Sequence, residues 1–160
     1  MHRESSRLRQ HAQSLEDALC ELAAWEGPGA DSARAAITTS LRALRAATDD
    51  LDEAGAALQR YATDLAEGHE LGRRAELRVE GASLILDGTR VIEPWGPASA
   101  QEAERRRALV PEVQARVDLA TTHVGRARGR LGREVTRLTD GFADQSRAVR
   151  SAQLAAQPPC

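Results

Sequence analysis

The chain has 160 residues and a formal net charge of −2 at pH 7. Its basic residues are all arginine and are interspersed with Asp and Glu, so no one-sided field steers it to nucleic acid. Aromatics are nearly absent: Trp25, Trp95, Tyr61 and Phe142 are the full set, and a compact core normally leans on such side chains. The abundance of alanine, leucine and charged residues suits long helices packed side by side in one elongated unit over residues 1–152. No apolar segment approaches the roughly 20 residues that span a bilayer. The N-terminal MHRESSRLRQ lacks the apolar run of a signal peptide. The expectation is a protein that stays in the cytoplasm or leaves by a route that needs no cleavable signal. Two cysteines, Cys20 and Cys160, make neither a disulfide framework nor a metal-ligand spacing.

Helix one is predicted over 5–25. Leu8, Ala12, Leu15, Leu19 and Leu22 follow a 4-3 alternation that lines one stripe, and Trp25 continues it. Gly27 can take the left-handed conformation that ends a helix, and Pro28 can open the next one. Helix two is predicted over 31–76. Ile37, Leu41, Leu44, Thr48, Leu51, Gly55, Leu58, Ala62 and Leu65 keep the alternation, and the pattern fades after Gly68. Asp49, Asp50, Asp52 and Glu53 lack the spacing of a calcium loop and read as a solvated face.

A β-hairpin follows over 83–92, with Asp87-Gly88 as a type I′ turn between two short β-prone runs. An isolated hairpin is marginal in water, so it should lie against the helices. Helix three is predicted over 99–148. Ser99 and Glu102 have capping-box spacing, and Pro111 implies a kink or a fresh start. Val117, Val124, Leu131 and Leu138 carry its stripe, with Val135 one step off register. Gly125 and Gly129 have the spacing that allows close packing on helix two, local flexibility or a partner groove. Arg105, Arg106 and Arg107 follow Glu102 and Glu104 and read as a solvated helix face. Residues 153–160 read as a disordered tail. The fold class is all-α: an antiparallel helical hairpin, a third long helix, and a small β-hairpin between helices two and three.

A first helix, Trp25-Glu26-Gly27, then a long second helix resembles the WXG superfamily, the ESX-type small proteins exported by type VII secretion systems. The resemblance covers about residues 8–65. The DG hairpin, the Pro/Gly loop and the third helix resemble the extended N-terminal domains of larger actinobacterial type VII substrates, including polymorphic toxins. The resemblance implies that the W-x-G tripeptide is the turn of the hairpin. Trp25 then either plugs the hairpin end, presents a docking surface, or does both. Family export signals commonly carry Y-x-x-x-D or Y-x-x-x-E after the second helix. Here Tyr61 has Asp64 at plus three, so the strict motif is absent.

Catalytic groupings are not evident. His2, His11, His69 and His123 are scattered, and the Ser, His and Asp residues lack the local context of a triad. His69 falls at a stripe position and reads as a partly buried polar residue. The expectation is a non-enzymatic protein with no cofactor and no metal. It would be a secreted substrate, or the targeting or chaperone partner of one, that recognises another helical hairpin, a toxin or a type VII ATPase. It would form a homodimer or heterodimer without stable membrane insertion. The alternative is a cytosolic coiled-coil scaffold or adaptor with no export role.

Overall fold

The computed structural model describes residues 2–155. The order is α1 (His2–Glu21), a 3₁₀ turn (Leu22–Ala24), α2 (Pro28–Gly81), β1 (Ile85–Asp87), β2 (Arg90–Ile92) and α3 (Ala100–Ala155). The architecture is the expected one, all-α with a small antiparallel hairpin between the second and third helices. The chain divides into two compact units. One runs up to Leu58 and resumes at Arg133; the other is Gln59–Gly132. Each unit has its own covering element, α1 in the first and the β-hairpin in the second.

In the first unit α1 and α2 are antiparallel, since Arg9 pairs with Asp52 and Glu16 with Arg45. The α-helix stops four residues before Trp25, and the chain tightens into the 3₁₀ turn. Gly27 has φ +111°, a conformation that side-chain-bearing residues rarely adopt. α2 opens at Pro28, where a missing N–H costs nothing, and the Gly27 carbonyl accepts from Ala30 and Asp31. Ala12, Ala30, Leu41, Thr48, Ala57 and Leu138 are buried, whereas Leu15, Leu19, Leu22, Ile37, Leu44 and Leu51 are only half-buried. The seam therefore combines small residues with Leu41 and Leu138, and the remaining leucines lie on its flanks.

This explains two corrections to the predicted stripe. Leu58, expected at the helix–helix seam, is 47% exposed, and its neighbour Ala57 is buried instead. Val135 is exposed, and Glu134 takes the half-buried position beside it. Closest approach of two helices selects the small side chain, and a leucine one position away rides outside. The acidic run is corrected as well. Asp50 accepts from Gln145 Nε2 at 2.7 Å, Asp52 pairs with Arg9, and Glu53 pairs with Arg137 at 2.5 Å. Of that run, Asp50 is a half-buried seam residue and not part of a solvated face.

The second unit holds an aliphatic core. Ala75, Val79 and Ala82 of the α2 end, Leu84 and Val91 of the hairpin, and Val113 and Val117 of α3 form one cluster. That packing carries α2 beyond its predicted end at residue 76, to Gly81. The helix ends on Ser83 in the left-handed region (φ 53°), with Leu84 N–H bonded to the Val79 carbonyl and Ser83 N–H to that of Glu80. This is a Schellman ending, and its apolar contact is Leu84 with Val79.

The strands pair Ile85 with Ile92, Leu86 with Val91 and Asp87 with Arg90. The turn residues are thus Gly88 and Thr89, one step later than expected. Only Gly88 has positive φ, so the turn is of type II′ character and not type I′. The outer edge of β2 is closed by Gln114, whose amide accepts from Val91 N–H at 2.7 Å and donates to the Thr89 carbonyl at 2.9 Å. α3 starts on Ser99, whose Oγ accepts from the Glu102 N–H. Pro111 neither ends nor restarts the helix: it is exposed, while Val110 and Val113 anchor the same turn in the core. α3 continues past its predicted end at 148 and through 153–155, where a disordered tail was expected. Residues 156–160, including Cys160, lie outside the described residues.

Candidate functional site

The tripeptide Trp25-Glu26-Gly27 lies in the turn between α1 and α2. Trp25 is extended (φ −94°, ψ 130°), and its N–H returns to the Leu22 carbonyl at 3.1 Å. The residue is 54% exposed. A helix end leaves carbonyls without partners, and α1 has no basic residue in its last turn. Arg34 from α2 supplies the donors. Its Nη1 reaches the Leu22 and Trp25 carbonyls at 3.0 and 2.9 Å, and its Nη2 pairs with Asp31 at 2.5 Å. The turn is thus locked by its backbone and by Arg34 while the indole faces outward. Arg34 gave no sequence signal, because an arginine nine residues beyond a tryptophan implies nothing until the chain has turned.

Tyr61 and Asp64 belong to the second unit and sit inside α2, well before its end at Gly81. Tyr61 is half-buried. Asp64 pairs through Oδ2 with Arg130 at 2.6 Å. Its backbone carbonyl lies 3.1 Å from His123 Nε2, and Glu67 Oε2 lies 3.6 Å from the same nitrogen. His69, placed at a stripe position by the periodicity, is exposed. Val117 is buried; Leu65, Val124 and Leu131 are half-buried.

The glycine that permits close approach is Gly68, and not Gly125. A Cβ on Gly68 would stand 2.5 Å from Val124 Cγ2, whereas one on Gly125 would meet nothing within 4 Å.

Charge pairing is dense along this unit. Hydrogen bonds from Arg73 and then Arg74 hold the Glu70 carboxyl down to about 2. Arg78, donating from α2 across 3.2 Å, holds the Glu112 carboxyl of α3 below the usual carboxylate range. Of the basic run, Arg106 pairs with Glu102, and Arg107 reaches Glu93 at 3.5 Å. These guanidiniums are engaged locally.

Among the described residues no helix is long and apolar enough to cross a membrane. Large apolar side chains are nevertheless left in solvent: Trp95 in the loop before α3 is 98% exposed, and Leu119 is 58% exposed. No family model, curated protein or solved structure matches the chain.

Proposed function

We propose that this chain is a WXG-like protein of a type VII secretion system, acting without catalysis by helix–helix recognition. It is a secreted substrate, or the targeting or chaperone partner of one, and it pairs with another helical hairpin as a homodimer or heterodimer. The observation that carries this reading is the turn itself. Trp25 is half-exposed in a turn whose backbone is held by Gly27 and Arg34, so the indole is not consumed in closing it. Tryptophan is enriched among the few residues that carry most of the energy of a protein interface. The half-buried leucines that flank the alanine seam offer the remaining contact surface.

A second reading is a cytosolic scaffold or adaptor. It is favoured by one observation: Tyr61 lies within α2, and Asp64 is already paired with Arg130. The deciding experiment is location. The protein is detected in lysate and culture medium of the native host, with and without its type VII ATPase. ATPase-dependent appearance in the medium supports the substrate reading. Retention in both strains, with other export intact, removes that reading and leaves the chaperone or scaffold.

A further inference from the structure

Asp64 and Glu67 stand one turn apart on α2, and His123 faces them from α3. The ligand-type atoms of the three lie within 4.8 Å of one another. The 3.6 Å between Glu67 Oε2 and His123 Nε2 is long for a hydrogen bond. It is close to the roughly 3.4 Å edge of a tetrahedron whose ligands lie about 2.1 Å from a zinc ion.

The imidazole is available for such a role. The same Nε2 lies 3.1 Å from the Asp64 carbonyl, and it binds an ion by losing its proton and giving up this contact. That carbonyl lies inside α2, where the helix ladder supplies it with a donor from four residues on, so the ring can leave without orphaning it. The two helices are held together at this level by Gly68, whose missing Cβ would stand 2.5 Å from Val124 Cγ2 and 3.5 Å from His123 Cδ2. Arg130 fixes one oxygen of Asp64, as an outer-shell partner fixes a ligating carboxylate, and the other oxygen can meet the ion. His123 and Asp64 are each about three-quarters buried, while Glu67 is 62% exposed, which leaves one side open to solvent.

We propose that Asp64, Glu67 and His123 bind a single zinc-class divalent ion that ties α2 to α3 within the second unit. One imidazole with two carboxylates favours zinc over magnesium or calcium, which prefer all-oxygen shells. Three protein ligands leave a fourth position for water. The site does not depend on the secretion reading.

The test uses the full chain after treatment with a chelator. Zinc chloride is titrated by calorimetry and by competition with a chromophoric zinc chelator, with magnesium chloride in parallel. The expected result is one zinc per chain, a rise in Tm with zinc and none with magnesium. Glu67→Gln and His123→Gln should each weaken zinc binding roughly 10-fold or more, with helicity unchanged by circular dichroism. His69→Gln, a change at an exposed histidine on the same helix, should leave affinity intact. Should His123→Gln fail to fold, Glu67→Gln carries the test, since that side chain is largely solvated. No zinc binding overturns the proposal, as does full affinity in Glu67→Gln.

Discussion

Around Val113 the chain packs branched aliphatic side chains from α2, the hairpin and α3; the first unit buries Ala12, Ala30, Thr48 and Ala57 beside Leu41 and Leu138, and sets the Asp50 carboxylate against Gly141. Both regions are built on the same two long helices. The second unit gains its stability from apolar burial, concentrated at one end by a six-residue ladder. The first unit brings helices close with small residues and ties them by cross-helix pairs, Arg9 with Asp52, Arg45 with Glu16 and Arg137 with Glu53. Such exposed pairs contribute little each. The difference teaches where recognition can reside. A unit that closes largely on small residues, with Leu41 and Leu138 as its buried leucines, keeps Leu15, Leu19, Leu22, Leu44 and Leu51 half in solvent, and it also carries the Trp25 turn.

The sharpest way to break this comparison is to truncate one leucine in each region. Leu84→Ala removes a 7%-exposed side chain from the aliphatic cluster and should cost about 2–4 kcal/mol. Leu44→Ala removes a half-buried one and should cost about 1 kcal/mol. Denaturant titration of both variants checks this, and equal losses would erase the distinction.

Next come two glycines. Gly68→Ala forces Val124 or the helix backbone to move and should destabilise by about 1–3 kcal/mol. Gly125→Ala meets nothing within 4 Å and should stabilise by about 1 kcal/mol through helix propensity. Opposite signs in thermal melts are expected, and the same sign for both would refute the assignment of the close approach.

Arg34→Ala removes the arginine's bonds to the Leu22 and Trp25 carbonyls, leaving Leu22 only its bond from the Trp25 N–H, and should cost about 1 kcal/mol. Exchange of the amides in residues 22–30 should accelerate while that around Val113 stays unchanged.

The smallest effect is acid sensitivity. Glu70 and Glu112 have depressed folded-state values, so their contribution is complete above the ordinary carboxylate value of 4.5. For Glu70 it is lost as pH falls toward about 2. Melts at falling pH should show this loss, and Glu70→Gln should flatten the profile within that window.

Much of the architecture was legible because it rests on local signals. The three helices follow from 4-3 alternation, the start of α3 from Ser99, and the hairpin from β-prone runs around Gly88. The register beyond Leu51 was not legible. In an alanine-rich helix several small residues can sit at the closest approach, and the leucines mark only the general side, so Ala57 and not Leu58 lies inward. The Ser83 ending was hidden because the 4-3 alternation fades after Gly68, well before the helix stops. Arg34 at the turn, Asp50 against Gln145, and His123 beside Asp64 and Glu67 are contacts between segments that the sequence keeps apart. No periodicity along one helix encodes them.

The most direct test of the recognition reading is Trp25→Ala in the native host. Protein in the culture medium is measured relative to lysate, alongside circular dichroism and Tm of the purified variant. Because Trp25 is 54% exposed and the turn is held by Gly27 and Arg34, export should fall several-fold while helicity and Tm stay at wild-type values. Unchanged export, or loss of export matched by loss of helicity, would contradict a recognition role and leave Trp25 as a packing residue.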